Sequence, residues 1–179
     1  MDARIQEMLD HHEIRKTLAE YCHGCDRADE PHMGSVYASD SWDDHGDVKA
    51  SGDDFARIMT GRVLSETESL SHLLGQSLIT IDGDNAGAET YFLAVAQAKK
   101  ADGTPLCNQL GGRYVDRLVR ENGKWLIKHR VVVKDWAITL PIEADWTLRV
   151  GLTPQSRSNA DPSYAALGIV HSGIPAHAA

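Results

Sequence analysis

The apolar residues of this chain change period once, and that change most constrains the fold. Over the first ~60 residues they recur at helical spacing, and over the next ~75 they alternate as in strands. Ile5, Met8, Leu9 and His12 share one helical face. Asp10 and Glu13 are spaced as a capping box, which predicts a helix restart there. The inner face then continues through Ile14, Leu18, Tyr21, Cys22 and Cys25. Asp29 or Glu30 is placed to cap a short helix with Pro31 in its first turn. Ser51 and Asp54 are spaced to cap a third, with Phe55, Ile58 and Met59 as its apolar stripe.

The strand half divides into two hairpins. "SHLLGQSLITIDGDNAGAETYFLAVAQAKK" turns at Asp82-Gly83-Asp84, and "LCNQLGGRYVDRLVRENGKWLIKHRVVVKDW" turns at Asn122-Gly123. "KADGTP" links them, and an earlier short strand is expected over "SWDDHG". Helices followed by long antiparallel strands give an α+β domain with the helices on one face of the sheet. The domain is expected over residues 1–146. Residues 147–179, with Pro154, Pro162 and Pro175 among many small residues, should form a tail. Such a tail is irregular, partly mobile, or ordered only against another subunit.

A chain of 179 residues fits one domain. Its net charge is −8, and no segment gathers Lys and Arg into a patch, which argues against nucleic acid. No apolar run reaches the ~18–20 residues of a membrane span. The charged, periodic start "MDARIQEMLDHHEIRK" does not read as a signal peptide. Three cysteines leave one unpaired, so a reducing, cytoplasmic setting is expected.

Two of those cysteines form a Cys-x-x-Cys in "YCHGCDRAD". A redox pair sits at a helix start, where the dipole lowers a thiol pKa, whereas this pair comes late in a helix. A structural zinc site needs four ligands, and Cys107 is the only other thiol. The favoured reading is two small apolar residues on the buried side of the helix, with redox or zinc chemistry as the weaker alternative. Asp26 follows directly, where it caps, pairs, or points into whatever the helix covers. His45 with Asp43 and Asp44 is only a weak metal pattern, because adjacent residues point in different directions.

Asp26 gains meaning beside "SDSWDDHG", "SHLLGQSLITIDGDNAGAETYF" and "GGRYVDRLVRENGKWLIKHRVVVKDW". Together, from the first helix to Trp136, these segments resemble the SnoaL-like branch of the nuclear-transport-factor-two-like superfamily. That resemblance implies a conical domain in which helices pack on a strongly curved antiparallel sheet around a pocket. Within the superfamily the chain is similar to scytalone dehydratases, bile-acid 7α-dehydratases and hexachlorocyclohexane dehydrochlorinases. Those enzymes carry an Asp–His dyad. Asp26 in "GCDRAD" and His72 in "LSHLLG" match it, and only a tertiary contact can join residues so far apart in sequence. Arg130 matches an arginine of the dehydrochlorinases, five residues after the tryptophan that follows the last turn. Tyr21 matches a tyrosine of the bile-acid dehydratases, where the dehydrochlorinases have lysine, so chloride elimination is disfavoured.

The implied activity is a cofactor-independent lyase acting on a hydrophobic cyclic or aromatic small molecule. A neutral imidazole removes a proton from carbon near pH 7. A buried carboxylate on its other nitrogen sets tautomer and orientation. His72 is then the base and Asp26 its orienter, with Tyr21 or Arg130 stabilising an oxyanion or the departing group. Residue pattern alone allows blander roles. Tyr21 lies on an apolar stripe, and Arg130 shares strand parity with Lys128 and Lys134, the pattern of a solvated face. Tyr91, Asn108 and Trp136 are expected to line the pocket; Trp136, like Trp125, is core or pocket wall. No metal ligand set is expected. A ketosteroid-isomerase-like or cyclase-like enzyme, with Asp26 itself as base, is the alternative. A non-catalytic binding module is a further one. The dyad enzymes are commonly trimers, which implies a homotrimer here.

Overall fold

The computed structural model describes residues 2–142 and 151–172. Helix α1 spans Ala3–Asp26, and the Asp2 carboxylate caps it by accepting the Arg4 N–H at 2.8 Å. The helix does not restart at Asp10, contrary to the capping-box spacing. Asp10 is buried, and its Oδ1 accepts from Trp125 Nε1 at 3.1 Å and from Arg120 Nη2 at 2.8 Å. Burial pushes this carboxyl up, but the bonds from Trp125, Arg120 and Gln6 outweigh it and hold it below the usual range. The residue that reads as a local cap is a tertiary anchor between α1 and the last hairpin.

The α1 helix ends where Ala28 turns left-handed at φ 52°. Asp29 then caps α2 (Glu30–Gly34), accepting the His32 N–H. The two helices touch at Gly24, where a Cβ would lie 2.6 Å from the Met33 nitrogen. Helix α3 (Gly52–Glu66) begins with the expected pair: Ser51 Oγ accepts the Asp54 N–H and donates to the Asp54 carboxylate. Its inner residue Phe55 is fully buried.

The strands among the described residues are β1 (Tyr37–Asp44), β2 (Lys49–Ala50), β3 (Ser69–Asp82), β4 (Asn85–Lys99), β5 (Pro105–Glu121) and β6 (Lys124–Pro141). They form one curved, unclosed sheet in the order β2-β1-β6-β5-β4-β3. Both expected hairpins are present. Asn122 and Gly123, at φ 52° and 77°, make the two-residue turn that this dipeptide favours. One pairing departs from the antiparallel expectation: β1 runs parallel to β6, because it enters the sheet beside the last strand. Register shifts interrupt β3–β4 between Leu74 and Ser77, and β5–β6 at Gly111/Gly112 and Arg117/Leu118. Such bulges bend a sheet and increase its twist.

The helices cover one face of this sheet, where Ile14, Leu18, Met33 and Phe55 meet Leu118, Trp125 and Ile127 in the core. The expected boundary at 146/147 lies outside the described residues. The described part of the tail is not simply irregular. It contains α4 (Pro162–Leu167), whose Tyr164 donates its hydroxyl to buried Asp29 at 3.0 Å. Arg157 donates to the Val63 and Thr67 carbonyls at the end of α3, and Arg27 pairs with Asp161. This segment is therefore ordered against its own chain. Among the described residues no helix is long and apolar enough to cross a membrane.

Candidate active site

A cavity of about 450 Å³ opens between α1, α3 and strands β3 to β6. Its wall is mainly apolar, with Met59, Leu70, Phe92, Leu110 and Val132 prominent. The size and character suit a small, largely hydrophobic ligand.

Asp26 and His72 meet at this wall. Asp26 closes the last turn of α1, and β3 brings His72 opposite Ala94 with Leu70 opposite Ala96. Facing pairs share a side of the sheet, so these four residues point the same way. Asp26 Oδ1 lies 2.6 Å from His72 Nδ1, and its Oδ2 accepts the His72 backbone N–H at 2.9 Å. Both carboxylate oxygens are thus committed to one residue. An acceptor on Nδ1 fixes the proton there and leaves Nε2 as the nitrogen available to a ligand. His72 lines the cavity, whereas Asp26 stands behind it.

Tyr21 also lines the cavity. Burial pushes its phenol well above the ordinary tyrosine pKa, with the Arg130 charge acting the other way. It therefore stays a neutral O–H donor near pH 7. Arg130 is fully buried, contrary to the solvated face that its parity suggests. Its guanidinium sits 4.2 Å from the Tyr21 ring centre and 4.1 Å from that of Tyr114. It holds Asp116 through two bonds of 2.7 and 2.8 Å. Burial disfavours this charge, but Asp116 outweighs that cost and keeps its pKa well above the usual value. Arg130 is not part of the cavity wall and reaches it only through the two tyrosine rings.

The reason for the misread parity is local. Trp125 and Ile127 face the core at odd positions. Lys128 falls in the register shift opposite Arg117/Leu118, after which the inward positions are even, Arg130 and Val132. Lys128 and Arg130 therefore do not share a face.

A SnoaL-like domain model matches residues 6–131. This chain belongs to the SnoaL-like domain family. Among solved structures, it is similar to a protein from Novosphingobium aromaticivorans DSM 12444 provisionally assigned as a scytalone dehydratase. That match has 17% identity, covers 77% of this chain and 91% of the other, and has a TM-score of 0.65. It is also similar to hexachlorocyclohexane dehydrochlorinase LinA-type3 from Novosphingobium barchaimii LL02, at 12% identity, 85% and 99% coverage and a TM-score of 0.67. A protein of unknown function from Mycobacterium tuberculosis matches at 20% identity, 86% and 85% coverage and 0.64. At these identities the likenesses establish the fold. No curated protein matches the chain.

In this SnoaL-like protein Asn108 reaches the cavity, and its Oδ1 accepts from Thr139 Oγ1 at 2.8 Å. Tyr91 and Trp136 do not, and the expectation that they line the pocket is corrected. On β4 the residues facing the helices are Thr90, Phe92 and Ala94, so Tyr91 points outward and is 41% exposed. Trp136 follows the second bulge of β6, where Gly111 pairs with Trp136 but Gly112 with Lys134. That extra residue turns Trp136 outward over Gly111, 48% exposed, and gives the inward place to Ala137.

The thiols do not support a redox site. Burial pushes Cys22 up to about 12 and Cys25 higher still, the opposite of an activated thiolate. Among the described residues no group of three or more His, Cys, Asp or Glu side chains is arranged to hold a metal ion. The residue that spacing missed is His45, which lines the cavity. Its signal was available: Asp43 and His45 are two apart at the end of a strand, so they share a face, whereas Asp44 does not.

Proposed function

We propose that this SnoaL-like protein is a lyase that needs no cofactor and performs a dehydration or related β-elimination on a hydrophobic cyclic or aromatic small molecule. The observation that carries this reading is the 2.6 Å contact between Asp26 and His72 at the wall of an apolar cavity. Nε2 of His72 takes the proton from carbon, and Asp26 stabilises the imidazolium that forms. Tyr21, a neutral phenol at the same wall, donates to the oxyanion or the departing oxygen. Arg130 acts through Tyr21: a buried cation against the ring strengthens the phenol as a donor. Asn108 binds substrate from the far strands. The family resemblance adds a homotrimer to this reading, and the odd number of cysteines adds a reducing, cytoplasmic setting.

The isomerase alternative needs Asp26 as the base. Both of its oxygens are bound by His72, and it does not line the cavity, which favours the imidazole instead.

A panel of aromatic and alicyclic alcohols, read by mass spectrometry for loss of water, tests the proposal. His72→Ala should lower turnover by about 10²–10⁴-fold with an unchanged circular dichroism spectrum. Asp26→Ala should retain more activity than H72A. Full activity in H72A, or a greater loss in D26A, would overturn the base assignment.

A further inference from the structure

A second carboxylate–imidazole pair opens on the same cavity. Asp43 is fully buried near the end of β1. Its Oδ1 holds His45 Nδ1, and its Oδ2 accepts the Tyr37 hydroxyl at 2.5 Å. The His45 ring packs on Phe55 with centroids 4.4 Å apart. Its other nitrogen, Nε2, lies 3.3 Å from the Tyr21 hydroxyl oxygen. Tyr21 thus stands between two histidines, with its ring centre 6.5 Å from that of His72 and its hydroxyl on His45. A buried carboxylate needs partners for both of its oxygens. Burying one without compensation is costly, and here Tyr37 and His45 together satisfy both oxygens.

We propose that His45, oriented by Asp43, is the general acid of the reaction, and that Tyr21 carries its proton to the leaving group. The proposal rests on the lyase reading above and supplies what a single base lacks. Hydroxide is a poor leaving group unless it is protonated as it departs. In the concerted step His72 Nε2 takes the proton from carbon, and the C–H electron pair becomes the new π bond. The C–O bond breaks with its pair on oxygen. Tyr21 gives that oxygen a proton and receives one from His45 Nε2, so water is released. His72 ends with one proton more and His45 with one fewer, and exchange with solvent resets both. Asp43 is a positioning residue: fully buried itself, it holds the His45 ring through Nδ1 so that Nε2 faces the Tyr21 hydroxyl. The assignment gives the two histidines opposite roles, with base and acid joined by one tyrosine.

The test uses two probes opened by loss of a carbon-bound proton, 1,2-benzisoxazole and its 5-nitro derivative. Both release a phenolate. The nitro group stabilises that phenolate so that it leaves without a proton, and the parent compound depends more on an acid. His45→Gln should lower kcat/KM for the parent by about 10²-fold and leave the nitro compound nearly unchanged. Asp43→Asn should follow the same pattern through kcat, with little change in KM. Tyr21→Phe, which keeps the ring and its packing, should reproduce it if H45Q folds poorly. His72→Gln should lower both probes equally. If H72Q lowers both and H45Q and Y21F lower both equally or neither, the acid assignment is wrong and the lyase reading stands. If H72Q affects neither probe, the base assignment fails and the acid with it.

Discussion

Replacing Asp116 with leucine isolates the charge beneath the two tyrosines. Arg130 and Asp116 have no exposed side-chain surface, and among the described residues their two short bonds are the guanidinium's only ionic contacts. One Arg130 nitrogen, Nη1, already lacks a hydrogen-bond partner among the described residues. Asp116→Leu removes the remaining acceptors and strands a full charge between aromatic rings. Breaking a buried pair in this way costs about 3–5 kcal/mol. For a domain of this size, each kcal/mol shifts Tm by about 2–4 °C, so a fall of about 6–20 °C is expected. The double variant D116L/R130M removes both charges and should recover much of the loss, because apolar side chains of similar volume replace a desolvated pair. The Lys128–Asp40 pair is the control. Its side chains are 40% and 66% exposed, so Asp40→Asn should leave stability nearly unchanged. Urea unfolding followed by the fluorescence of buried Trp125, with calorimetry for Tm, reads all three variants. A D116L variant within about 1 kcal/mol of the wild type, or a double variant no more stable than D116L, would refute the reasoning.

The tail should respond to acid. Burial pushes Asp161 up, but bonds from Ser163 and Ser156 and the Arg27 charge outweigh it and bring the carboxyl to about 2. A lowered folded-state pKa contributes stability above the unfolded value of 3.8 that is lost as pH falls toward about 2. The stability gap between wild type and Asp161→Asn, measured by urea unfolding, should therefore be constant above pH 5 and close between pH 4 and 2. A gap unchanged at pH 2 would contradict this. The three thiols should separate by burial. In native protein at pH 8 a chromogenic disulfide reagent should modify Cys107 rapidly and Cys22 and Cys25 only on unfolding. Rapid modification of Cys22 or Cys25 would restore the redox reading.

What was legible in the sequence was what period and turn chemistry encode. The change from helical to alternating spacing places α1 and α3 before the hairpins, and Asn122-Gly123 marks the β5–β6 turn to the residue. The contact between Asp26 and His72 was legible through resemblance, because neither residue carries a local signal. The errors cluster where the chain departs from strict alternation. An extra residue at Lys128 puts Arg130 inside, and another at Asp135 puts Trp136 outside. A bulge leaves no clear mark on composition, so strand parity cannot be carried across it from sequence alone. Asp10 fails for a related reason. Its spacing to Glu13 suits a cap, and the competing bonds come from Trp125 and Arg120, more than a hundred residues away.

The parallel seam between β1 and β6 bears on how the chain is made. Tyr37 finds its partner at Ile127, so β1 leaves the ribosome about 90 residues before the strand that will flank it. At ~5–20 residues per second the nascent chain waits roughly 5–20 s with that backbone edge unpaired. Asp43 and His45 lie on or beside this early strand, and their surroundings are completed only by the last hairpin to emerge. Truncation anywhere before β6 thus leaves an open, adhesive edge rather than a smaller version of the fold.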